Sequence, residues 1–406
     1  MTRALHLAAA LIAGAAVTLG SFAAASHAAG AAEPRATGSP NPPAAGNAGN
    51  PLANRNWGVY TGQGESPWQE YQGQLKGVTP PTAAQKAQLA KIALTPKTRW
   101  FDDTLSDSLL KKKVTNTIDS VTEKDPNALV QLATFGMIHT WEYGRCPRTA
   151  PYKAWARAFA AGVRAGHAHT AVVVQIDGPL AAKCAADRSM VHYTVQQLHA
   201  VPDTSIYIEM GSADWPAVVG AKRLPTTQVA QSAKLLQMDG VGMARGFALD
   251  TSHFDSTGAE ITYGSKLVAQ LDRLGNKGKH FVIDTSDNGE PFTGKWFHQH
   301  HGAKTALDQA KPCATRSSTH CLALGIPPTD DVANAKWGLS SSLRNIAAKE
   351  VDGYLWIERP WQLPKTVAKG ISKTPGFKLS SALREINASK WNPLTEGGTY
   401  VVGNPK

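Results

Sequence analysis

Short apolar runs rich in β-branched residues recur along the chain, at residues 170–176, 205–208, 246–249, 280–283 and 353–357. Their hydrophobicity is continuous rather than alternating, which marks strands buried on both faces, as in a parallel sheet. Segments with helical spacing lie between them, among them residues 152–165, 226–238, 261–274 and 340–349. Strand alternating with helix predicts repeated βαβ units, arranged either as an open doubly wound sheet or as a barrel.

Each of the five runs ends in a carboxylate: Asp177, Glu209, Asp250, Asp284 and Glu358. In parallel α/β architectures the carboxyl ends of all strands open on one face, and ligands bind there. A lone acid after a strand is ordinarily a cap or turn residue. Five on one rim predict a polar cleft able to hydrogen-bond a hydroxyl-rich ligand. Trp141, Trp215, Trp296, Trp356 and Trp361 fall in or beside the same loops, out of eleven tryptophans in a chain that is only 7% aromatic. Burial is the default for any one indole. In polar loops such as Ser212-Ala213-Asp214-Trp215 and Thr293-Gly294-Lys295-Trp296, however, an indole face suits the apolar face of a pyranose ring. Carboxylates and indoles on one rim point to carbohydrate.

Composition narrows the setting. Residues 1–28 carry a short positive start, an apolar middle and a small-residue exit, the pattern of a cleavable export signal. Residues 29–51 are mostly Ala, Gly, Pro, Asn and Ser and read as a flexible linker, which leaves 52–406 as one folded domain. No later segment is apolar enough to span a bilayer, so a secreted, monomeric protein free of the membrane is expected. Four cysteines, Cys146, Cys184, Cys313 and Cys321, lie in the exported part, where disulfides form. They permit three pairings, and spacing prefers Cys313 with Cys321, leaving Cys146 with Cys184. The formal charge of +11 would suit an acidic partner, but the cations are scattered and export argues against nucleic acid. There is no Gly-rich phosphate loop and no Gly-x-Ser-x-Gly elbow, so no cofactor is called for. The cluster His298, His300 and His301 lacks a carboxylate or Cys at metal-ligand spacing, and no metal site is assigned.

The strand-end motifs resemble those of glycoside hydrolase family 6, the cellobiohydrolases and endoglucanases that cleave β-1,4-glucan with inversion. Val174-Gln175-Ile176-Asp177, with Cys184 seven residues on, is similar to the family's Val-Glu-Pro-Asp strand end and its downstream cysteine. Ile208-Glu209-Met210-Gly211-Ser212-Ala213-Asp214-Trp215 resembles Tyr-Asp-Ala-Gly-His-x-x-Trp. Asp250-Thr251-Ser252-His253-Phe254 resembles Asn-x-Ser-Asn-Tyr. Ile283-Asp284-Thr285-Ser286-Asp287-Asn288-Gly289 looks like Ile-Asp-Thr-Ser-Arg-Asn-Gly and is followed by Trp296 where the family has a sugar-binding Trp. Phe-Leu-Trp-Ile-Lys is matched by Tyr354-Leu355-Trp356-Ile357-Glu358.

The resemblance implies a distorted parallel (β/α) barrel of the family 6 cellulase type, hydrolysing β-glucan with Asp177 as proton donor. It also marks departures. Arg145 stands where the first motif carries an Asp that keeps the donor protonated, and His139 where it carries a Tyr. In the closing loop the family's lysine has become Glu358, its glutamate Gln362, and the Asp proposed as base is Pro364. The base role then passes to another rim carboxylate, Glu209, Asp214 or Asp284. Trp215, Trp296, Trp356, Ser212, Asp250 and Glu358 are the expected substrate-binding residues. The alternative is a glycan-binding relative that keeps the cleft without turnover; a weaker one is a basic surface protein holding anionic wall polymer through charge.

Overall fold

The computed structural model describes residues 49–137, 148–181, 185–217, 228–360 and 377–405. Among them seven strands form one all-parallel sheet in sequential order: β2 (Arg99–Asp102), β3 (Val130–Phe135), β4 (Thr170–Val174), β5 (Thr204–Glu209), β6 (Gly246–Leu249), β7 (His280–Asp284) and β8 (Val351–Leu355). Helices such as Asp107–Thr122, Thr149–Gly166 and Thr257–Arg273 connect successive strands. A sequential parallel order with helical crossovers of one hand curls the sheet into a barrel rather than opening it, which settles the choice left by the periodicity. The ladder does not close fully. The seam between the first and last strands of the sheet is stitched by the Thr98 N–H donating to Trp356 O (2.8 Å) and the Trp100 indole N–H donating to Ile357 O (2.7 Å).

Side chains alternate between two cores, as a pleated strand requires. Val172, Val174, Ile206, Ile208, Phe247, Leu249, Phe281 and Ile283 point outward and pack beneath the helices. Ala171, Val173, Tyr207, Ala248, Val282 and Leu355 point inward and fill the barrel with Trp57 and Tyr400. The inward set is mostly small, so space remains for the Trp57 indole, which is 1% exposed. It is delivered by β1 (Trp57–Val59), which pairs in parallel with β9 (Tyr400–Val402). The floor also holds a buried polar knot: Asp352 accepts from Arg245 Nε and Nη2 (both 2.8 Å) and from the Tyr207 hydroxyl (2.8 Å).

No helix among the described residues is long and apolar enough to cross a membrane. Of the cysteines, Cys313 and Cys321 are joined, as spacing predicted. Cys146 and Cys184 lie outside the described residues, as do Trp141, Arg145, Trp361, Gln362 and Pro364.

Candidate active site

Because all seven strands run the same way, the five strand-end carboxylates sit on one rim. Gln175, Asp177 and Asp250 there adopt left-handed backbone angles (φ 60°, 63° and 66°), a conformation that costs non-glycine residues about 1–3 kcal/mol each and concentrates at functional sites. The turn after β4 is fixed by its neighbours: Gln175 N–H donates to Thr134 Oγ1 (2.8 Å) and the Gln175 amide to Ile176 O (2.9 Å). Gly178 N–H donates to Glu209 Oε2. A Cβ on Gly178 would sit 2.5 Å from Glu209 O, so only glycine allows this approach. The bend leaves Asp177 half-buried at the mouth, its carboxyl accepting from the Ser252 hydroxyl. Burial raises the Asp177 carboxyl to about 6; Ser252 and His253 oppose the rise and Asp308 adds to it. Burial, with a like charge from Asp308, thus favours the protonated form of Asp177.

Two expected catalytic carboxylates hold backbone amides. Glu209 is 1% exposed, and Gly211 N–H donates to its Oε1 (2.6 Å) while Gly178 N–H holds its Oε2, so it fastens the β4 turn to the β5 turn. Burial and the neighbouring Asp177 push Glu209 up to about 8 despite both amides. Asp284, 2% exposed, accepts from Ser286 N–H (2.9 Å), Ile357 N–H (3.0 Å) and Glu358 N–H (2.6 Å), which ties the β7 and β8 ends together. Burial raises it to about 6, and those amides hold it back. In both residues each carboxylate oxygen spends at least one lone pair on a fixed backbone N–H, which gives both a structural task at the rim.

Three of the expected substrate-binding residues are buried. Trp356 is 0% exposed and its indole N–H donates to Ile326 O (3.1 Å), so it offers no face to a sugar. Ser212, 0% exposed, donates to Asp214 Oδ1 (2.5 Å). Asp250, 2% exposed, accepts from Asp255 N–H (3.2 Å) and from the Asn288 amide (3.4 Å). Glu358 stays half-buried at the mouth, raised to about 8 by burial and by Asp284 and Asp177 against the pull of Arg359. Arg359 itself lies 4.6 Å over the Trp100 ring.

The β5 and β6 loops meet in an arrangement that sequence reasoning missed. His253 Nδ1 lies 2.8 Å from Asp214 Oδ1, and its ring stacks on Trp215 with centroids 4.7 Å apart and planes at 10°. The Gly294 N–H caps Asp214 Oδ2. Burial raises the Asp214 carboxyl, but His253, Ser212 and Gly294 outweigh it and hold Asp214 below the usual range. The signal was present in the Asp250–Phe254 segment, where His253 replaces the second Asn of the family motif. Asp308 falls in no motif and could not have been found that way.

Trp296 begins near the start of the helix Gly294–His301, where Thr293 Oγ1 accepts its N–H (3.1 Å). It is half-buried, and its indole stacks with His300 (4.2 Å) and with His320 (4.4 Å). His320 has φ 56° and sits next to Cys321 in the loop closed by the Cys313–Cys321 disulfide. His300 Nδ1 and His301 Nδ1 bond back to the carbonyls of Trp296 (2.8 Å) and Phe297 (3.1 Å). The two tryptophans expected as sugar platforms, Trp215 and Trp296, thus both carry imidazoles of the protein's own loops.

Residues 64–360 match the family described as glycosyl hydrolases family 6. Among curated proteins the chain is 29% identical over 241 residues to endoglucanase A of Cellulomonas fimi, covering 58% of this chain and 47% of that protein. It is also 29% identical over 102 residues to endoglucanase 1 of Streptomyces halstedii, covering 25% of this chain and 28% of that protein. The chain thus spans less than half the length of either relative. Among solved structures it resembles an endoglucanase from Mycobacterium tuberculosis, in complex with a methyl cellobiosyl-4-deoxy-4-thio-β-D-cellobioside, with TM-score 0.61, 24% identity and coverage of 84% of this chain and 98% of that one. The catalytic core of a cellobiohydrolase from Chaetomium thermophilum superposes with TM-score 0.57 at 15% identity, covering 84% and 99%. These structures share the curled parallel barrel described above. With its fold and the larger part of its sequence accounted for in this way, the chain belongs to glycosyl hydrolases family 6.

Proposed function

We propose that this protein is a secreted, monomeric glycosidase that hydrolyses β-1,4-glucan with inversion, using Asp177 as proton donor. Residues 1–28 serve as export signal, 29–51 as linker and 52–406 as the catalytic domain. The observation that carries the reading is Asp177 itself: a half-buried carboxyl at the barrel mouth, presented by a left-handed bend and raised to about 6. An acid near the working pH is protonated often enough to give its proton to a leaving oxygen, yet acidic enough to release it. In the inverting reaction Asp177 protonates the glycosidic oxygen, the C1–O bond breaks, and a water adds to C1 from the opposite face, surrendering a proton to a base.

A second reading is favoured by the covered indoles of Trp215 and Trp296. A sugar ring must displace imidazole before it stacks, which suits a relative that retains a cleft and binds glycan without turnover. Incubation of wild type and Asp177→Asn with cellohexaose, with the anomer of each product followed by NMR, separates the two. Wild type is expected to release α-configured products and Asp177→Asn to lose about 10²–10⁴-fold in rate. Binding with no product from wild type would leave only the second reading.

A further inference from the structure

Resting on the hydrolytic reading, we infer that the proton acceptor for the attacking water is not a carboxylate but His253, held by Asp214 and braced by Trp215. The closing loop has Pro364 where the family has its proposed base, and proline has no acceptor side chain. The rim carboxylates do not replace it. Glu209 and Asp284 are 1% and 2% exposed and hold backbone N–H groups on both oxygens. Asp250 and Glu260 are sealed at 2% and 0% exposure. Glu358 is raised to about 8 and so carries its proton where Asp177 works.

His253 has what these groups lack. Asp214 is held in its ionised form by three donors, and an ionised carboxylate only accepts. The proton between the pair therefore lies on Nδ1, and in the neutral ring the lone pair falls on Nε2. Nε2 carries no hydrogen bond to the described residues. The side chain retains 14% exposure. The carboxylate at one end of the ring and the parallel indole on its face leave the imidazole little rotation, the preorganisation a base requires. Acidic groups face it from each neighbouring loop: Asp177 after β4, Asp214 after β5, Asp255 in its own loop and Asp308 in Leu307–Gln309. The step balances. Water oxygen bonds to C1 as C1 parts from the glycosidic oxygen, one water proton moves to His253 Nε2, and the Asp177 proton moves to the leaving oxygen. Exchange with solvent then returns imidazolium and carboxylate to their starting forms.

The test compares wild type, His253→Ala and His253→Asn on cellohexaose, with and without sodium azide, alongside circular dichroism and cellohexaose affinity. Both variants are expected to lose about 10²–10⁴-fold in kcat with KM within about threefold. Azide, an anion that needs no base, should restore turnover in His253→Ala and yield the α-glycosyl azide. Variants within tenfold of wild-type kcat overturn the assignment, as does a loss that azide does not relieve in a protein of unchanged dichroism and affinity. Azide rescue in Asp308→Ala but not in His253→Ala gives the role to Asp308 and overturns it as well. A wild type without hydrolysis sinks the hydrolytic reading and this inference together, whereas an active wild type with an indifferent His253 sinks the inference alone.

Discussion

Asp352 lies at the floor of the barrel, and its replacement by alanine should lower stability without touching the mouth. The carboxylate is 0% exposed and receives Arg245 through two bonds and the Tyr207 hydroxyl through a third, all at 2.8 Å. Alanine removes the carboxylate that accepts from both the Arg245 guanidinium and the buried Tyr207 phenol. Breaking a buried pair from one side costs about 3–5 kcal/mol. The Arg245 side chain retains 22% exposure and so recovers some hydration, which puts the loss near the lower end, about 3 kcal/mol. A folded domain of roughly 350 residues has an unfolding entropy of about 0.7 kcal/mol per degree, so the midpoint should fall by about 4 °C. Thermal unfolding followed by far-ultraviolet dichroism reads that shift, and hydrolysis or glycan affinity measured well below the midpoint should stay at wild-type level. A shift under about 1 °C, or a loss of cleft function with the midpoint unmoved, would refute the separation of a structural floor from a chemical mouth.

Two further outcomes concern protons. As Asp177 must be protonated to act and is raised to about 6, kcat/KM should fall as pH rises through about 6, and Asp308→Asn, which removes a like charge, should move that limb to lower pH; a pH–rate profile checks both. Glu209 is raised to about 8, and Asp177, Asp255 and Asp284 to about 6, so the folded state binds protons more tightly than the unfolded chain between their ordinary values and these. The stability these groups confer is then present at acid pH and lost as pH rises through 6 to 8, so the midpoint should be higher at pH 5 than at pH 8, and a midpoint that climbs with pH would contradict the burial argument.

How far the sequence could be read depended on whether a residue's role is local. The runs at 170–176 and 280–283 announce β4 and β7 because a strand covered on both faces needs apolar residues throughout. β2 passes unnoticed because Arg99, Trp100 and Asp102 are only half-buried beside the seam, and β1 and β9 because three residues carry no period. At the site, the strand-end rule placed Asp177, Glu209 and Asp284 on one rim, since the direction of a parallel strand follows from the pattern alone. Whether their oxygens are free does not. The amides that occupy Asp284 come from Ser286, Ile357 and Glu358, and two of those lie more than seventy positions along the chain. His253 was overlooked for the same reason, because its partner Asp214 belongs to a different loop.

The pairing of β1 with β9 joins the first described strand to the last. During synthesis the Trp57 indole is made long before the strand that braces it, so the barrel stays uncorked from below until Tyr400–Val402 has emerged. A product cut short before Tyr400 would present an unmatched strand edge and a loosened plug, the kind of surface that invites association between incomplete copies.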